Sequence, residues 1–142
     1  MSSISFKNNG INAYLKNTRY LKKLILFIFN NEGFEFDRII IIFSTDEAVL
    51  ELNRQFLNHN TLTDILTFTM SSENQPLSSE IYISVERVRE NAEKFEVTYI
   101  NELYRVIIHG ILHLCGFSDH TRKLKAAMRE KENFYLAKVS FT

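Results

Sequence analysis

The chain is poor in the residues that interrupt or staple a fold. One proline and four glycines stand among 142 residues, which leaves few places for a linker between domains. Internal repeats and low-complexity tracts are absent. The single cysteine, Cys115, excludes an internal disulfide and fits a reducing compartment. Charge of one sign is not in excess either. Seventeen basic and seventeen acidic side chains cancel, so net charge gives no pointer to a nucleic-acid partner, although a local basic groove stays open. No long apolar run exists: Leu24 to Phe29 is too short to span a bilayer, and Asn30, Asn31 and Glu32 follow it. The opening residues, Met1 to Lys7, lack the basic-then-apolar layout of a secretory signal. These absences lead us to expect a cytoplasmic protein with no membrane partner.

What is present suits one core. A hydrophobic content of 45% in a chain of this length supports a single domain over residues 1–142, not two. Ile4 and Phe6 suggest a short opening strand, and Arg38 to Phe43 is a β-branched run expected to be buried on both faces. Asp64 to Thr69 and Glu80 to Ser84 also read as strands. Helical spacing of apolar residues appears over 20–29, after Ser44-Thr45-Asp46-Glu47, over 85–95 behind a Ser84 cap, over 101–115, and over 121–138. The first of these ends at Asn30-Asn31-Glu32-Gly33. The last presents Leu124, Met128, Phe134 and Leu136 on or near one side. Ser71 to Pro76 is a polar surface loop. Strands and helices interleave, which predicts an α/β (α+β) domain: a small mixed sheet packed with about five helices.

The chemistry gathers in His109-Gly110-Ile111-Leu112-His113-Leu114-Cys115-Gly116-Phe117-Ser118-Asp119-His120. Residues four apart share a helix face, so His109 and His113 can direct both imidazoles at one ion. They lie in an otherwise apolar helix, where two imidazoles without partners would be costly. Gly116 permits the left-handed turn that ends a helix, and such a turn can swing a third ligand back toward the ion. Three protein ligands leave a coordination position for water, as metal-assisted hydrolysis requires. Cys115 points away from the histidine face and reads as a small buried apolar residue. The zinc-protease helix carries a glutamate base directly after its first histidine; here that place is Gly110, which weakens a peptidase reading.

His109-Gly110-x-Leu112-His113-Leu114-x-Gly116-Phe117 resembles the signature of the YbeY endoribonucleases, bacterial rRNA maturation factors. Leu52-Asn53 with Thr63-Asp64-Ile65-Leu66-Thr67-Phe68 resembles that family's segment from LN to TDVLSF. Glu80 to Ser84 resembles its GDI-type strand, with Ser79 where glycine is usual. The likeness runs from about residue 40 to the C-terminus. It implies a small α/β fold, one zinc ion, and single-strand-specific RNA cleavage in maturation of the 16S rRNA 3′ end and in ribosome quality control. The implied partners are the rRNA precursor and the small ribosomal subunit, not DNA.

Two departures from the family pattern matter. The family's third histidine lies ten residues after the first and directly follows an aspartate. Here Ser118 is inserted, so Asp119 holds the spacing and His120 holds the residue type; both remain candidate ligands. The family also has an arginine four residues after the asparagine that Asn53 matches, and here that place is Leu57. Arg54 and His59 are weak catalytic candidates for its role, each against the alternative of a solvated surface residue. Asp64 either orients a ligand or caps a turn.

In the implied reaction the ion activates a water, or polarises the phosphate for attack by the neighbouring 2′-hydroxyl. Basic residues for RNA are Arg87, Arg89 and Lys94 on one helix and Arg122, Lys123, Lys125 and Arg129 on the last. Acids interrupt both sets, so a solvated face competes with a binding patch. The rival functions are a ribosome-assembly factor with a structural metal and, behind it, a metallopeptidase.

Overall fold

The β-branched run at 38–43 becomes the interior of a sheet. A computed structural model describes residues 2–57 and 63–139. Among the described residues the elements are β1 (Ser3–Asn8), α1 (Thr18–Glu32), β2 (Phe36–Ser44), α2 (Asp46–Leu57), β3 (Ile65–Thr69), β4 (Leu77–Ser84), α3 (Val85–Lys94), α4 (Tyr99–Leu114) and α5 (Arg122–Leu136). The strands lie in the order β1-β2-β4-β3. β2 runs parallel to β1 and to β4, while β3 pairs antiparallel with β4. The expected mixed sheet with five helices is what forms.

Alternation along the strands divides the sheet into two faces. Ile39, Ile41, Phe43, Ile81 and Ile83 join the main core with Leu21, Ile25 and Ile28 of α1 and Leu103, Ile107 and Ile111 of α4. Ile40, Ile42 and Leu66 are buried outside that core, toward the opposite face, where α2 packs on β3 and β4. β2 is therefore covered on both sides, as its unbroken apolar run anticipates.

The predicted caps are realised. Gly33 closes α1 with a left-handed φ of 77°, and its N–H donates to the carbonyl of Asn30. Ser84 Oγ accepts from the Arg87 N–H and donates to Asp46 Oδ1 at 2.6 Å, so one hydroxyl joins the starts of α3 and α2. Cys115 is buried, and burial with the nearby Glu32 charge pushes its thiol up to about 12, the inert small apolar residue expected.

The expected apolar face of α5 needs correction. Leu124 and Phe134 are 42% and 48% exposed, while Met128, Glu132, Tyr135 and Leu136 turn inward. Helical geometry explains this. Positions 128, 132, 135 and 136 recur at three- and four-residue steps; Leu124 continues that series but lies in the first turn of the helix, short of the buried positions, and Phe134 falls off the edge of the stripe.

α4 is the axis of the domain, packing against α1, α3, α5 and β3. Gly110 makes the close approach to the sheet possible. A Cβ there would lie 2.6 Å from Ile65 Cδ1 and 3.5 Å from Ile81 Cγ2. Position 110 thus faces strands, not the histidine face, and a glutamate placed there would drive its carboxylate into a buried apolar seam. We expect Gly110→Glu to lower stability by several kcal/mol, seen as a reduced urea midpoint. An unchanged midpoint would refute this packing account.

Candidate metal centre

Helix α4 ends at Leu114, one residue after His113. The Gly116 N–H donates to the His113 carbonyl (3.0 Å) and the Phe117 N–H to the Leu112 carbonyl (3.0 Å), with Gly116 at φ 94°. This is the glycine-terminated reversal expected from the sequence. It turns the chain back along its own helix, so that Phe117 and Asp119 face the two histidines.

Three donor atoms then converge. His109 Nε2 and His113 Nε2 are 2.9 Å apart, and Asp119 Oδ2 lies 3.6 Å from the first and 3.7 Å from the second. Ligands held about 2.0–2.2 Å from a tetrahedral ion stand roughly 3.3–3.6 Å from one another; the two Asp119 distances match this, and the two imidazoles would have to part by about 0.4 Å to admit a divalent cation of zinc's size. Among the described residues, His109, His113 and Asp119 form the one group able to hold a metal ion.

The far side of each ring supports the same conclusion. His109 Nδ1 meets Glu132 Oε2 at 2.6 Å, and His113 Nδ1 meets the Phe117 carbonyl at 3.0 Å. Both outer partners are acceptors, so both Nδ1 atoms carry hydrogen and, in the neutral rings, both Nε2 lone pairs turn inward. That is the arrangement metal-ligating histidines adopt.

Burial disfavours a charge on His109, but the hydrogen bond and negative charge of Glu132, with Asp64 and Asp119 behind it, hold its pKa above the ordinary 6.5. His113 is held below that value by burial and by the His109 charge. For Glu132, burial is outweighed by His109 and by Arg105, whose Nη1 lies 3.1 Å from Oε1, so its carboxyl is kept below the usual range.

The other candidates scatter. His120 is exposed, its N–H donating to Ser118 Oγ at 3.2 Å; the inserted serine forms a small turn that leaves His120 outside the metal group. Arg54 lies on the exposed side of α2, 3.6 Å from Glu51, and Leu57 is exposed at the end of that helix. His59 lies outside the described residues. Arg87 is engaged by Asp46 at 2.9 Å and Glu90 at 3.0 Å, and Arg89 stands over the Tyr14 and Tyr99 rings. These two α3 cations therefore serve structure, whereas Lys125 and Arg129 of α5 border a cleft containing His109 and Asp119, Arg129 standing 3.4 Å from Glu132 Oε1 from an exposed position.

Asp64 lines that same cleft. Burial lifts its pKa, against the lowering effects of the His109 charge and of its own backbone amide.

Sequence reasoning passed over Glu132 and Arg105. The available signal was a carboxylate within the apolar stripe of α5, between Met128 and Leu136, where an unpaired charge would be costly.

Glu132→Gln should weaken metal binding about 10- to 100-fold by removing the anionic partner of His109, measured by competition with a chromophoric chelator. Wild-type affinity in that variant would refute the orienting role. Affinity should also fall as pH drops through the raised His109 pKa, by about tenfold per pH unit, because the proton and the ion compete for Nε2. A flat profile between pH 5 and 8 would contradict it.

Known proteins match this chain over most of its length. The sequence profile of the family described as Endoribonuclease YbeY matches residues 4–140. The Porphyromonas gingivalis protein named Endoribonuclease YbeY is 37% identical over 142 residues, spanning 100% of this chain and 93% of that one. The Amoebophilus asiaticus protein of the same name is 36% identical over 135 residues, 95% and 92% of the two chains. The Flavobacterium psychrophilum one reaches 49% over 92 residues, 65% of each. A solution structure of a Thermotoga maritima protein superposes with a TM-score of 0.60 at 31% identity, covering 94% of this chain and 87% of that chain. With the histidine helix, its glycine turn and the mixed sheet all in place, the chain belongs to the YbeY endoribonuclease family.

Proposed function

We propose that residues 1–142 act as one metal-dependent endoribonuclease domain that cleaves single-stranded RNA, using one zinc ion held by His109, His113 and Asp119. The observation that carries this reading is the convergence of two inward Nε2 atoms and one carboxylate oxygen beside an open cleft, in a chain of this family. Zinc suits the donor set of two imidazoles and one carboxylate with a position left over. By the family likeness, the substrate is the 16S rRNA precursor at its 3′ end and the partner is the small ribosomal subunit. The setting is cytoplasmic ribosome maturation and quality control. No helix among the described residues is long and apolar enough to cross a membrane, which is compatible with that setting.

His109, His113 and Asp119 would hold the cation, which would supply Lewis acidity toward a phosphoryl oxygen and lower the pKa of a bound water. The chain's own residues do the rest. Glu132 and the Phe117 carbonyl hold the two ring tautomers, so that neither imidazole turns during the reaction. Asp64, its carboxyl lifted by burial, holds or accepts a proton next to the reacting phosphate. Lys125 and Arg129 offer positive charge for the RNA backbone at the mouth of the cleft.

A specific departure favours the rival assembly-factor reading: Leu57 stands where the family has arginine. Cleavage assays separate the two. His113→Ala should reduce cutting of single-stranded RNA by about a hundredfold or more while the fold melts cooperatively. Normal cleavage by this variant would sink the catalytic reading. Metal content should fall in Asp119→Ala and persist in His120→Ala; the reverse pattern would reassign the third ligand.

A further inference from the structure

Beside the metal centre a cleft of about 360 Å³ opens between the end of α3, helix α4 and the first half of α5. Glu102 sits in its wall, in the first turn of α4, where the helix dipole favours an acid but leaves its side-chain acceptors to be filled from the cleft. The residue is only 5% exposed, and among the described residues nothing hydrogen-bonds its carboxyl. The nearest cation on its helix face, Arg105, is already committed to Glu132 at 3.1 Å and Asn133 at 2.9 Å. Its oxygens are not among the described side-chain atoms that are both sealed from solvent and unpartnered, so their remaining exposure is to the cleft, and the cleft is where a donor would enter.

The surroundings narrow the donor's identity. Glu102 and His109 are seven residues apart on one face of α4, so about 10 Å of helix separates the carboxyl's position from the metal centre. Phe95, 51% exposed, borders the same cleft with an aromatic ring, and Asn91 adds an amide. Lys125 and Arg129 line the cleft from exposed positions on α5. An aromatic surface, an acceptor carboxyl and peripheral cations match the base and phosphates of a nucleotide. The cations also disfavour a second guanidinium as the occupant.

We infer that this cleft reads the base of the RNA residue next to the cleaved bond, that the base is guanine, and that Glu102 is the specificity-determining residue. A carboxylate presents two acceptors side by side. Only guanine answers with two adjacent donors, N1–H and the N2 amino group. Adenine and cytosine set a ring nitrogen acceptor beside their single amino group, and uracil flanks its one N–H with two carbonyls. The inference rests on the endoribonuclease reading only for the position of the scissile phosphate; base binding itself is independent of cleavage.

The test is titration of the full-length, zinc-loaded protein with GMP, AMP, CMP and UMP, followed by NMR or calorimetry. GMP should bind between about five- and a hundredfold tighter than UMP, the span one bidentate base contact carries. Glu102→Gln should bring the four nucleotides to within about threefold of each other. Equal affinities in the wild type, or unchanged discrimination in Glu102→Gln, would overturn the inference. So would displacement of GMP by N-acetyl-arginine amide at equal concentration.

Should Glu102→Gln fail to fold, Phe95→Ala serves instead. It should weaken all four nucleotides by about five- to a hundredfold while keeping guanine first, and no change would refute the stacking surface. A wild type that prefers GMP yet cuts no RNA would remove the endoribonuclease reading and leave this one standing. RNA cleavage without base preference would do the opposite.

Discussion

Two imidazoles whose Nε2 lone pairs face each other at 2.9 Å repel unless something positive lies between them. Glu132 and the Phe117 carbonyl enforce that confrontation, because each takes the hydrogen on the outer nitrogen and leaves the inner one bare. The chain thus directs part of its packing toward concentrating electron pairs at one point. A proton or a divalent cation relieves the strain, and Asp119 adds a third negative donor to the same spot. Most of the C-terminal half exists in relation to this constraint: α4 carries the rings, α5 carries Glu132, and the turn between them carries Phe117 and Asp119.

The two glycines of the histidine segment serve opposite purposes. Gly110 lets α4 lie so close to β3 and β4 that even a Cβ would press on Ile65 Cδ1, which anchors the rings to the rigid part of the fold. Gly116, with its left-handed φ, releases the chain from the helix and returns it to the rings. Rigid support on one side and a tight reversal on the other place donor atoms within a few tenths of an ångström of what a zinc-sized ion needs. The same packing removes the glutamate that peptidase chemistry would require at position 110.

Charge is sorted across the site as well. Carboxyl groups of Asp64, Glu102, Glu132 and Asp119 line the cleft beside the rings, and Arg105, Lys125 and Arg129 join them from α4 and α5. A neutral chain can therefore present a locally structured field to a polyanion. Arg87 and Arg89, equally basic on paper, are absorbed by Asp46, Glu90 and two tyrosine rings. A cation's availability depends on its neighbours in space, and those neighbours are distant in the chain.

Periodicity and cap chemistry alone made the elements legible, because both act between residues only a few positions apart. The unbroken isoleucine run, Ser84 at the head of α3 and Gly116 at the end of α4 each led to the structure observed. So did the pairing of His109 with His113, since four-residue spacing on a helix leaves little choice of direction. The choice between Asp119 and His120 was not local: the turn made by Ser118 sends His120 to solvent and Asp119 toward the rings. Glu132 was hidden for the same reason. Its partner lies 23 residues earlier, and only the packing of α5 on α4 brings Oε2 to Nδ1. Sequence determined which residues could bind a metal, through short-range geometry. Tertiary structure decided which of them do meet and which acid orients them, because those contacts arise only when separate helices close on one core.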